Sequence, residues 1–369
     1  MDTDRARPNL HVVVSTGSGT GQAQDVWQKL VKPMFEHVCV LQDKDYTLHV
    51  TSSDTSVSEL TRDVFLPSAN EGAAQAIVLL SGDGGVVDLV NTLLSGEHTK
   101  QYRKPNIALL PLGTGNALAH STGITFDKTM GVSTLLQGAP KELPLFCTSF
   151  SPGARLLVNE AREERELRTV NGVPIAHGAV VCSWGLHAGL VADSDTAEYR
   201  KFGAERFKMA AKEALFPEDG SPPHHYRGSI SVLRPSSNTR DDWEPIQRDE
   251  HGYVLATMVS HLEQGFKISP ASKPLDGKMR LVHFAPMSGK DAMDAMGGAY
   301  AGGTHIEDER IGYEEIEGLR IEFDEEDARW RRICVDGKII RVEKGGWMEV
   351  RNGVKGVADL IVTQRYGEL

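Results

Sequence analysis

The chain has 369 residues, 40% of them hydrophobic and 25% charged, which is a globular composition with room for two domains. Its 40 basic and 51 acidic residues give a net charge of −11. This balance argues against a nucleic-acid-binding protein and against a polybasic membrane clamp. The cysteines form no CxxC pair, the first residues are polar, and no run reaches 18 apolar residues. The sequence therefore predicts a cytoplasmic protein without a cysteine zinc site.

The first 145 residues alternate short apolar strands with helical patterns. Strands are predicted at residues 11–15, 46–51, 76–80 and 106–110. Helices are predicted at 23–35, at 57–65 and through the apolar spacing of Val86, Val90 and Leu93. This alternation predicts an α/β domain in which helices cover a parallel sheet.

After about residue 145 the pattern changes to strands separated by turn residues. Strands are predicted at residues 145–158, 176–184, 228–233, 253–260, 278–284, 319–323, 333–335 and 339–342. One helix is predicted at about 198–215. The series predicts a second, mostly antiparallel β-rich domain over residues 146–356, with the form of a sandwich.

Three glycine clusters in the first domain each follow a predicted strand. They are Thr16-Gly17-Ser18-Gly19-Thr20-Gly21, Ser81-Gly82-Asp83-Gly84-Gly85 and Pro111-Leu112-Gly113-Thr114-Gly115-Asn116. Parallel sheets bind ligands beyond the carboxyl ends of their strands. Backbone amides in such loops and at helix N-termini bind phosphate groups. Three such loops at one edge therefore predict a phosphate-binding site.

The common nucleotide and hydrolase motifs do not account for these loops. The chain has no GxxxxGK[ST] motif and no GxSxG motif. In the first loop, Gln22 stands where GxGxxG requires its third glycine. Neither a Walker-type ATPase nor an ordinary dehydrogenase is predicted.

Asp83 lies between two glycines directly after a predicted buried strand. Glycines on both sides let the backbone turn sharply and approach a polyphosphate. A carboxylate at this position can accept a proton from an attacking hydroxyl or help to hold Mg²⁺. The alternative is an aspartate that only caps the next helix.

The segments 81–84 and 111–119 closely resemble the diacylglycerol-kinase catalytic domain, and the sphingosine kinase branch of that superfamily is the most similar. The glycines of the first loop match that branch. So do Trp184-Gly185-Leu186, the segment 192–207, Ser260-His261-Leu262 and Val335-Asp336-Gly337. The resemblance covers most of the chain, and the second and third glycine loops are its specific part.

This resemblance implies an ATP-dependent and Mg²⁺-dependent lipid kinase that phosphorylates a hydroxyl of a long-chain lipid, with a sphingoid base as the first expectation. It implies a nucleotide-binding domain at 1–145, to which a strand at about 357–369 returns, and a lipid-substrate domain at 146–356. The partners implied are the lipid substrate and, transiently and peripherally, a membrane surface. No nucleic acid is implied.

The resemblance also assigns roles to individual residues. Asp83 is the implied catalytic base and metal-linked carboxylate, and the lipid-facing acid is Asp193 or Asp195, or is missing if Gly189 occupies its place. Arg200 and Arg206, six residues apart on one predicted helix, would supply positive charge. The residues implied to surround the nucleotide are Ser18, Gly19, Thr20, Gly21, Thr51, Ser81, Gly82, Gly84, Gly113, Thr114, Gly115, Asn116, Arg200, Arg206 and Gly337.

Some positions depart from the family pattern. Ser15 and Thr16 replace Asn-Pro, Asp88 replaces a glutamate, and Lys338 replaces the acid of Asp-Gly-Glu. Three alternatives therefore stay open: a diacylglycerol or ceramide kinase, an NAD-kinase-like enzyme, and a nucleotide-binding or lipid-binding relative without turnover. Trp184-Gly185 and the loop 113–116 favour the lipid branch, and the retention of Asp83 favours an active enzyme.

Overall fold

The computed structural model describes residues 8–126, 128–235 and 242–363. The polar first residues and the end of the predicted 357–369 segment lie outside the described residues. The strands in chain order are β1 (Asn9–Val14), β2 (Tyr46–Val50), β3 (Gln75–Ser81), β4 (Asn106–Pro111), β5 (Ala139–Glu142), β6 (Leu145–Phe150), β7 (Arg155–Val158), β8 (Glu163–Glu166), β9 (Thr169–Val170), β10 (Val173–Gly178), β11 (Val181–Gly185), β12 (Tyr226–Leu233), β13 (Trp243–Pro245), β14 (Glu250–His251), β15 (Tyr253–Thr257), β16 (Met279–Phe284), β17 (Ile311–Ile316), β18 (Gly318–Phe323), β19 (Arg332–Val335), β20 (Lys338–Arg341), β21 (Trp347–Val354) and β22 (Asp359–Val362).

Two long helices in the first part of the chain contain a π-helical middle. Helix α1 runs through Ala23–Val26, Trp27–Val31 and Lys32–His37, and helix α2 through Ser56–Leu60, Thr61–Phe65 and Leu66–Asn70. The other helices are α3 (Asp83–Ser95), α4 (Ala117–Ser121), α5 (Val132–Gln137), α6 (Leu186–Asp193), α7 (Ala197–Arg200), α8 (Glu205–Leu215) and α9 (Gly289–Tyr300), with 3₁₀ turns at Thr304–Glu307 and Ala328–Arg331.

The chain divides into two compact units. The first contains the described residues up to Leu143 and those from Gly356 onwards, and the second is Pro144–Lys355. In the first unit the strand order is β2-β1-β3-β4-β22-β5. Strands β1 to β4 and β22 pair in parallel, and β5 pairs with β22 in the antiparallel sense. Strand β22, from the end of the chain, is therefore an internal strand of this sheet.

Helices cover this sheet because its strands β1, β3 and β4 are apolar and buried along most of their length. The central strand β3 is buried at nearly every position, as expected for a parallel strand covered on both faces. Helix α3 buries Val86, Val90 and Leu93, which recur at helical spacing on one side. Trp27 of α1 is fully buried and packs edge-on against Tyr46 of β2.

In the second unit two antiparallel sheets share one core. Their strand orders are β13-β12-β18-β21-β6-β10-β9, with β14 beside β12, and β17-β16-β15-β11-β19-β20-β7-β8. The core side chains come from both sheets, with Phe150 and Ile321 from the first and Trp184 and Leu281 from the second. The two sheets therefore pack face to face as a sandwich. The predicted fold class, a parallel α/β domain plus a mostly antiparallel β-rich domain, is confirmed.

Three sequence-predicted elements are interrupted. The strand expected at 176–184 is two strands, β10 and β11, separated by a bend at Ala179 and Val180. The other two are interrupted near a glycine with positive φ. The strand expected at 145–158 is two strands, β6 and β7, separated by a turn in which Gly153 has φ +92°. The helix expected at 198–215 is two helices, α7 and α8, separated where Gly203 has φ +56°. A residue in the left-handed region cannot continue a right-handed helix. Within the described residues, no helix combines the length and apolar character needed to span a bilayer.

Candidate functional site

The three predicted glycine loops lie side by side at one edge of the parallel sheet. The first loop (residues 15–22) follows β1, the second (82–84) follows β3, and the third (112–116) follows β4. Strand β3 pairs with both β1 and β4. Because all three strands run in the same direction, their carboxyl ends and the loops meet at that edge.

The backbones of these loops touch, and glycine is what permits the contact. The Gly82 amide donates a hydrogen bond to Ser18 Oγ at 2.9 Å, which joins the second loop to the first. A Cβ atom on Gly82 would lie 2.6 Å from Gly113 Cα, and one on Gly113 would lie 2.5 Å from Gly82 Cα. Gly19 has φ +55°, and a Cβ atom there would overlap the Leu112 carbonyl oxygen. Side chains at these positions would force the loops apart.

Asp83 is the first residue of α3, and its carboxylate binds the start of a different helix. Its Oδ2 accepts a hydrogen bond from the Ala117 amide at 2.7 Å, and its Oδ1 accepts one from the Leu118 amide at 3.0 Å. Asp83 therefore caps α4 and fixes the second loop against the third. Burial raises the pKa of this half-buried carboxyl, and the two amide hydrogen bonds offset part of that rise. Each oxygen keeps a lone pair for a further partner.

The third loop is held in shape by its own side chain. Asn116 has φ +54°, in the left-handed region that asparagine tolerates. Its Oδ1 accepts from the Gly113 amide at 2.8 Å, and its Nδ2 donates to the Gly113 carbonyl at 2.9 Å. Thr114 and Gly115 lie half-buried inside this closed turn. The loop is therefore preformed.

Open space remains in front of two of the glycines. A Cβ atom on exposed Gly17 or exposed Gly84 would have no heavy atom within 4 Å. Gly84 lies in the first turn of the 13-residue helix α3. The first amides of a helix have no partner within the helix and carry partial positive charge. This combination suits a phosphate group.

Other predicted nucleotide residues of this unit border the loops. Thr51, buried at the end of β2, accepts from the Thr16 amide through Oγ1 at 3.0 Å, and its carbonyl accepts from Thr16 Oγ1 at 2.9 Å. Thr51 thus anchors the first loop, which continues through the exposed Thr20 and Gly21. Ser81 is buried at the end of β3.

The remaining predicted site residues belong to the second unit, where the arginines share one carboxylate. Arg200 Nε and Nη2 each lie 3.0 Å from an oxygen of Asp195, and Arg206 Nη1 lies 3.4 Å from Asp195 Oδ1. The two arginines lie on α7 and α8, so the expectation that one helix carries both is wrong, because the helix is interrupted near Gly203. Arg206 is mostly buried, and its Nε has no partner among the described residues.

Asp193, at the end of α6, is bound by two arginines that sequence reasoning missed. Arg332 Nη1 lies 2.8 Å from Asp193 Oδ1, and Arg329 Nη2 lies 3.0 Å from Oδ2. Burial acts to raise the pKa of Asp193, but the two guanidinium groups outweigh it, so the pKa lies below its usual value. No motif in the sequence marks Arg329 or Arg332. Their spacing from Asp193, 136 and 139 residues, is set by the sandwich topology.

Gly337 lies in the hairpin between β19 and β20 with φ +86°, beside Asp336 at φ +48°. The buried Asp336 carboxylate accepts hydrogen bonds from the amides of Ala179, Val180 and Val181 at 2.6, 3.1 and 2.6 Å. This Asp-Gly pair therefore fixes the turn between β10 and β11 within the second unit. Over the described ranges, no three His, Cys, Asp or Glu side chains group as a metal site.

Comparisons with known proteins agree with this architecture. Residues 9–147 match the family model of the diacylglycerol kinase catalytic domain. Sphingosine kinase 1 of Arabidopsis thaliana is 23% identical over 345 residues, covering 85% of this chain and 64% of that protein. Sphingosine kinase 1 of Homo sapiens is 23% identical over 305 residues, covering 74% of this chain and 71% of that protein. The chain thus spans less than two thirds of the plant relative.

A crystal structure of a diacylglycerol kinase from Bacillus anthracis str. Sterne has the same fold, with a TM-score of 0.55 and 14% identity over 97% of this chain and 98% of that one. The matched domain contains all three glycine loops and Asp83. Residues 9–147 are therefore similar to the diacylglycerol kinase catalytic domain, and the chain over most of its length is similar to sphingosine kinases.

Proposed function

We propose that this protein is an ATP-dependent lipid kinase, which transfers the γ-phosphoryl group of ATP to a hydroxyl of a long-chain lipid. The observation that carries the proposal is the meeting of three glycine loops at one sheet edge, with Asp83 fixed between the second and the third. The family match and the relatives named as sphingosine kinases support this reaction class.

The glycine loops would bind the phosphates of ATP. Glycines at 17 and 84 leave open space, and the first turn of α3 offers backbone amides beside it. An acidic chain with a net charge of −11 needs such local donors to bind a polyanion. We assign the glycine loops of the nucleotide site to the first unit and acceptor binding to the second. Arg200, Arg206 and Gly337 remain proposed nucleotide residues, and the unpartnered Nε of Arg206 supports its assignment.

Asp83 would orient and deprotonate the acceptor hydroxyl. The hydroxyl oxygen attacks the γ-phosphorus, the bond from that phosphorus to the β-phosphate bridging oxygen breaks, and ADP leaves. The hydroxyl proton passes to Asp83. The raised pKa of this carboxyl strengthens it as a base, and the two amides from α4 hold it in place without using all its lone pairs.

Mg²⁺ fits this site as an ion bound mainly by ATP. Magnesium is commonly held by one or two carboxylates together with substrate phosphates, so a cluster of acids is not required. The free lone pairs of Asp83 meet that requirement. When bound, the ion would neutralise charge on the phosphates. Asp83 would hold it.

The acceptor could come from two chemical classes. The names of the relatives point to a sphingoid base, which carries an ammonium group, and the name of the matched domain points to an uncharged hydroxyl lipid such as diacylglycerol. Either acceptor resides in a membrane, so we propose a cytoplasmic enzyme that contacts the membrane surface transiently.

The test is phosphorylation by the purified protein with γ-labelled ATP and Mg²⁺. Sphingosine, ceramide, diacylglycerol and NAD are offered separately, and the products are separated by solvent extraction. Label in a lipid product supports the proposal. Label in NAD alone would indicate an NAD kinase, and ATP binding with no labelled product would indicate a relative that has lost turnover.

A further inference from the structure

Asp195 joins two arginines that lie on separate helices. Its Oδ1 accepts hydrogen bonds from Arg200 Nε at 3.0 Å and from Arg206 Nη1 at 3.4 Å, and its Oδ2 accepts one from Arg200 Nη2 at 3.0 Å. Arg200 is the last residue of α7, and Arg206 lies in the first turn of α8. The chain between them passes through Gly203 at φ +56°. A single carboxylate therefore bridges the break between the two helices.

The two guanidinium groups need this carboxylate because they repel each other. The side chain of Arg206 is only 12% exposed, so water compensates little of its charge. Burial lowers the pKa of Arg206 and the nearby charge of Arg200 lowers it further, whereas the charge of Asp195 acts in the opposite direction. Within the described part of the chain, neither arginine forms an ion pair with another carboxylate. Asp195 thus offsets the repulsion between the two arginines.

Each guanidinium group also keeps nitrogen atoms that Asp195 does not use. Arg200 Nη1 and Arg206 Nε and Nη2 donate to no group among the described residues. Two arginines and one aspartate leave one positive charge in excess. A phosphate group has several oxygens and can accept hydrogen bonds from both arginines while Asp195 keeps its own contacts.

We infer that Asp195 is a positioning residue for phosphate binding, which holds Arg200 and Arg206 together so that both can bind the phosphates of ATP. This inference rests on the proposed lipid kinase function and deepens it. It gives Asp195 a role different from that of the lipid-facing acid that the resemblance implies. Asp193 is then the candidate for the lipid-facing acid.

Other contacts hold the surrounding segment, so the charge of Asp195 can be removed without unfolding it. Glu160 accepts a hydrogen bond from the Ala197 amide at the start of α7 at 2.9 Å. The Tyr199 hydroxyl donates to Glu213 and thereby ties α7 to α8. The side chain of Asp195 is itself 40% exposed. A neutral side chain at this position should therefore change the arrangement of the arginines and leave the fold intact.

The first experiment measures binding of a non-hydrolysable ATP analogue with Mg²⁺ by calorimetry. We expect Asp195→Asn to weaken binding by at least about fivefold, because the neutral amide no longer offsets the repulsion between the guanidinium groups. Asp195→Glu keeps the charge and should lose less affinity. The matched control is Asp308→Asn, which removes a carboxylate that Arg310 binds through two nitrogens in the same unit, and it should leave the affinity unchanged.

The second experiment tests whether Asp195 acts through the arginines. Adding Asp195→Asn to the Arg200→Gln/Arg206→Gln variant should change the affinity for the analogue by less than about twofold, because the groups that Asp195 positions are absent. Thermal unfolding of every variant confirms that the compared proteins are folded. Equal losses of affinity in the two backgrounds overturn the inference.

The third experiment separates this role from acceptor binding by steady-state kinetics. In Asp195→Asn the KM for ATP should rise, and the KM for the lipid at saturating ATP should stay the same. A rise in the KM for the lipid alone overturns the inference, and so does unchanged or tighter binding of the analogue. If the wild type does not bind the analogue at all, the proposed function fails as well. If the wild type binds it and phosphorylates a lipid, a failure of these predictions concerns Asp195 alone.

Discussion

We expect the substitution of Gly84 by alanine to change the stability of the protein and its affinity for ATP in opposite directions. Gly84 is exposed in the first turn of α3, where a Cβ atom would meet no heavy atom of the protein. Alanine at such a helical position stabilises a protein by about 0.4–1 kcal/mol, mainly because the unfolded chain loses freedom. For a protein of this size we expect a rise in Tm of roughly 1–4 °C.

If the space beside Gly84 holds a phosphate group, the same substitution should lower the affinity for ATP while it raises the stability of the protein. A methyl group there displaces the phosphate from the backbone amides of the first turn. Loss of one hydrogen bond to a charged group costs about 1.5–3 kcal/mol, which is a factor of roughly 10 to 100 in affinity. Gly84→Ala should therefore be more stable than the wild type and should bind ATP at least tenfold more weakly.

Gly297 provides the matched control. It is also an exposed helical glycine, in α9 of the second unit, and a Cβ atom there also meets no heavy atom within 4 Å. Gly297→Ala should raise Tm by a similar amount and leave ATP binding unchanged. The assays are thermal unfolding without nucleotide and calorimetric binding of a non-hydrolysable ATP analogue with Mg²⁺. If both variants bind the analogue as the wild type does, the second loop is not the phosphate site.

Further predictions concern the supporting structure and the base. Asp336→Asn should lower the free energy of unfolding by roughly 2–4 kcal/mol in urea titrations, because a buried acceptor of three amides loses its charge; a loss below 0.5 kcal/mol would contradict this role. Deleting residues 356–369 removes β22 from between β4 and β5 and should abolish cooperative unfolding of the first unit; an unchanged unfolding transition would refute it. Because burial raises the pKa of Asp83, this carboxylate is protonated at higher pH than that of an ordinary aspartate. We therefore expect kcat/KM to decline as the pH is lowered, with an apparent pKa higher than 3.8. That acid limb should be missing from the residual activity of Asp83→Asn.

The sequence predicts that three glycine loops meet at one edge of the sheet, because local patterns determine the strands and the loops that follow them. Buried strands followed by glycines identify the parallel sheet and its loops without knowledge of the packing. The fold class follows from the same patterns. The contact of Gly82 with Gly113 is consistent with this picture, since adjacent parallel strands bring successive loops together.

The sequence does not predict the contacts between segments that are far apart in the chain. The carboxylate of Asp83 binds amides 34 and 35 residues away, and that of Asp336 binds a turn more than 150 residues away. Both pairings depend on how helices and hairpins pack, which no local motif encodes. The pairing of Asp193 with Arg329 and Arg332 is a third case. The break at Gly203 had a local signal, a glycine within a helical pattern, but glycine alone does not decide whether a helix ends.

The most direct test of the central claim compares wild-type protein with Asp83→Asn in lipid phosphorylation. Asparagine keeps the shape of the side chain and one acceptor for the amides of α4, but it cannot take up a proton from the acceptor hydroxyl. With ATP binding matched by calorimetry, γ-labelled ATP should give a phosphorylated lipid with the wild type and a rate lower by roughly 10²-fold or more with the variant. Equal rates for the two proteins, or no labelled lipid from the wild type with any acceptor, would contradict the account.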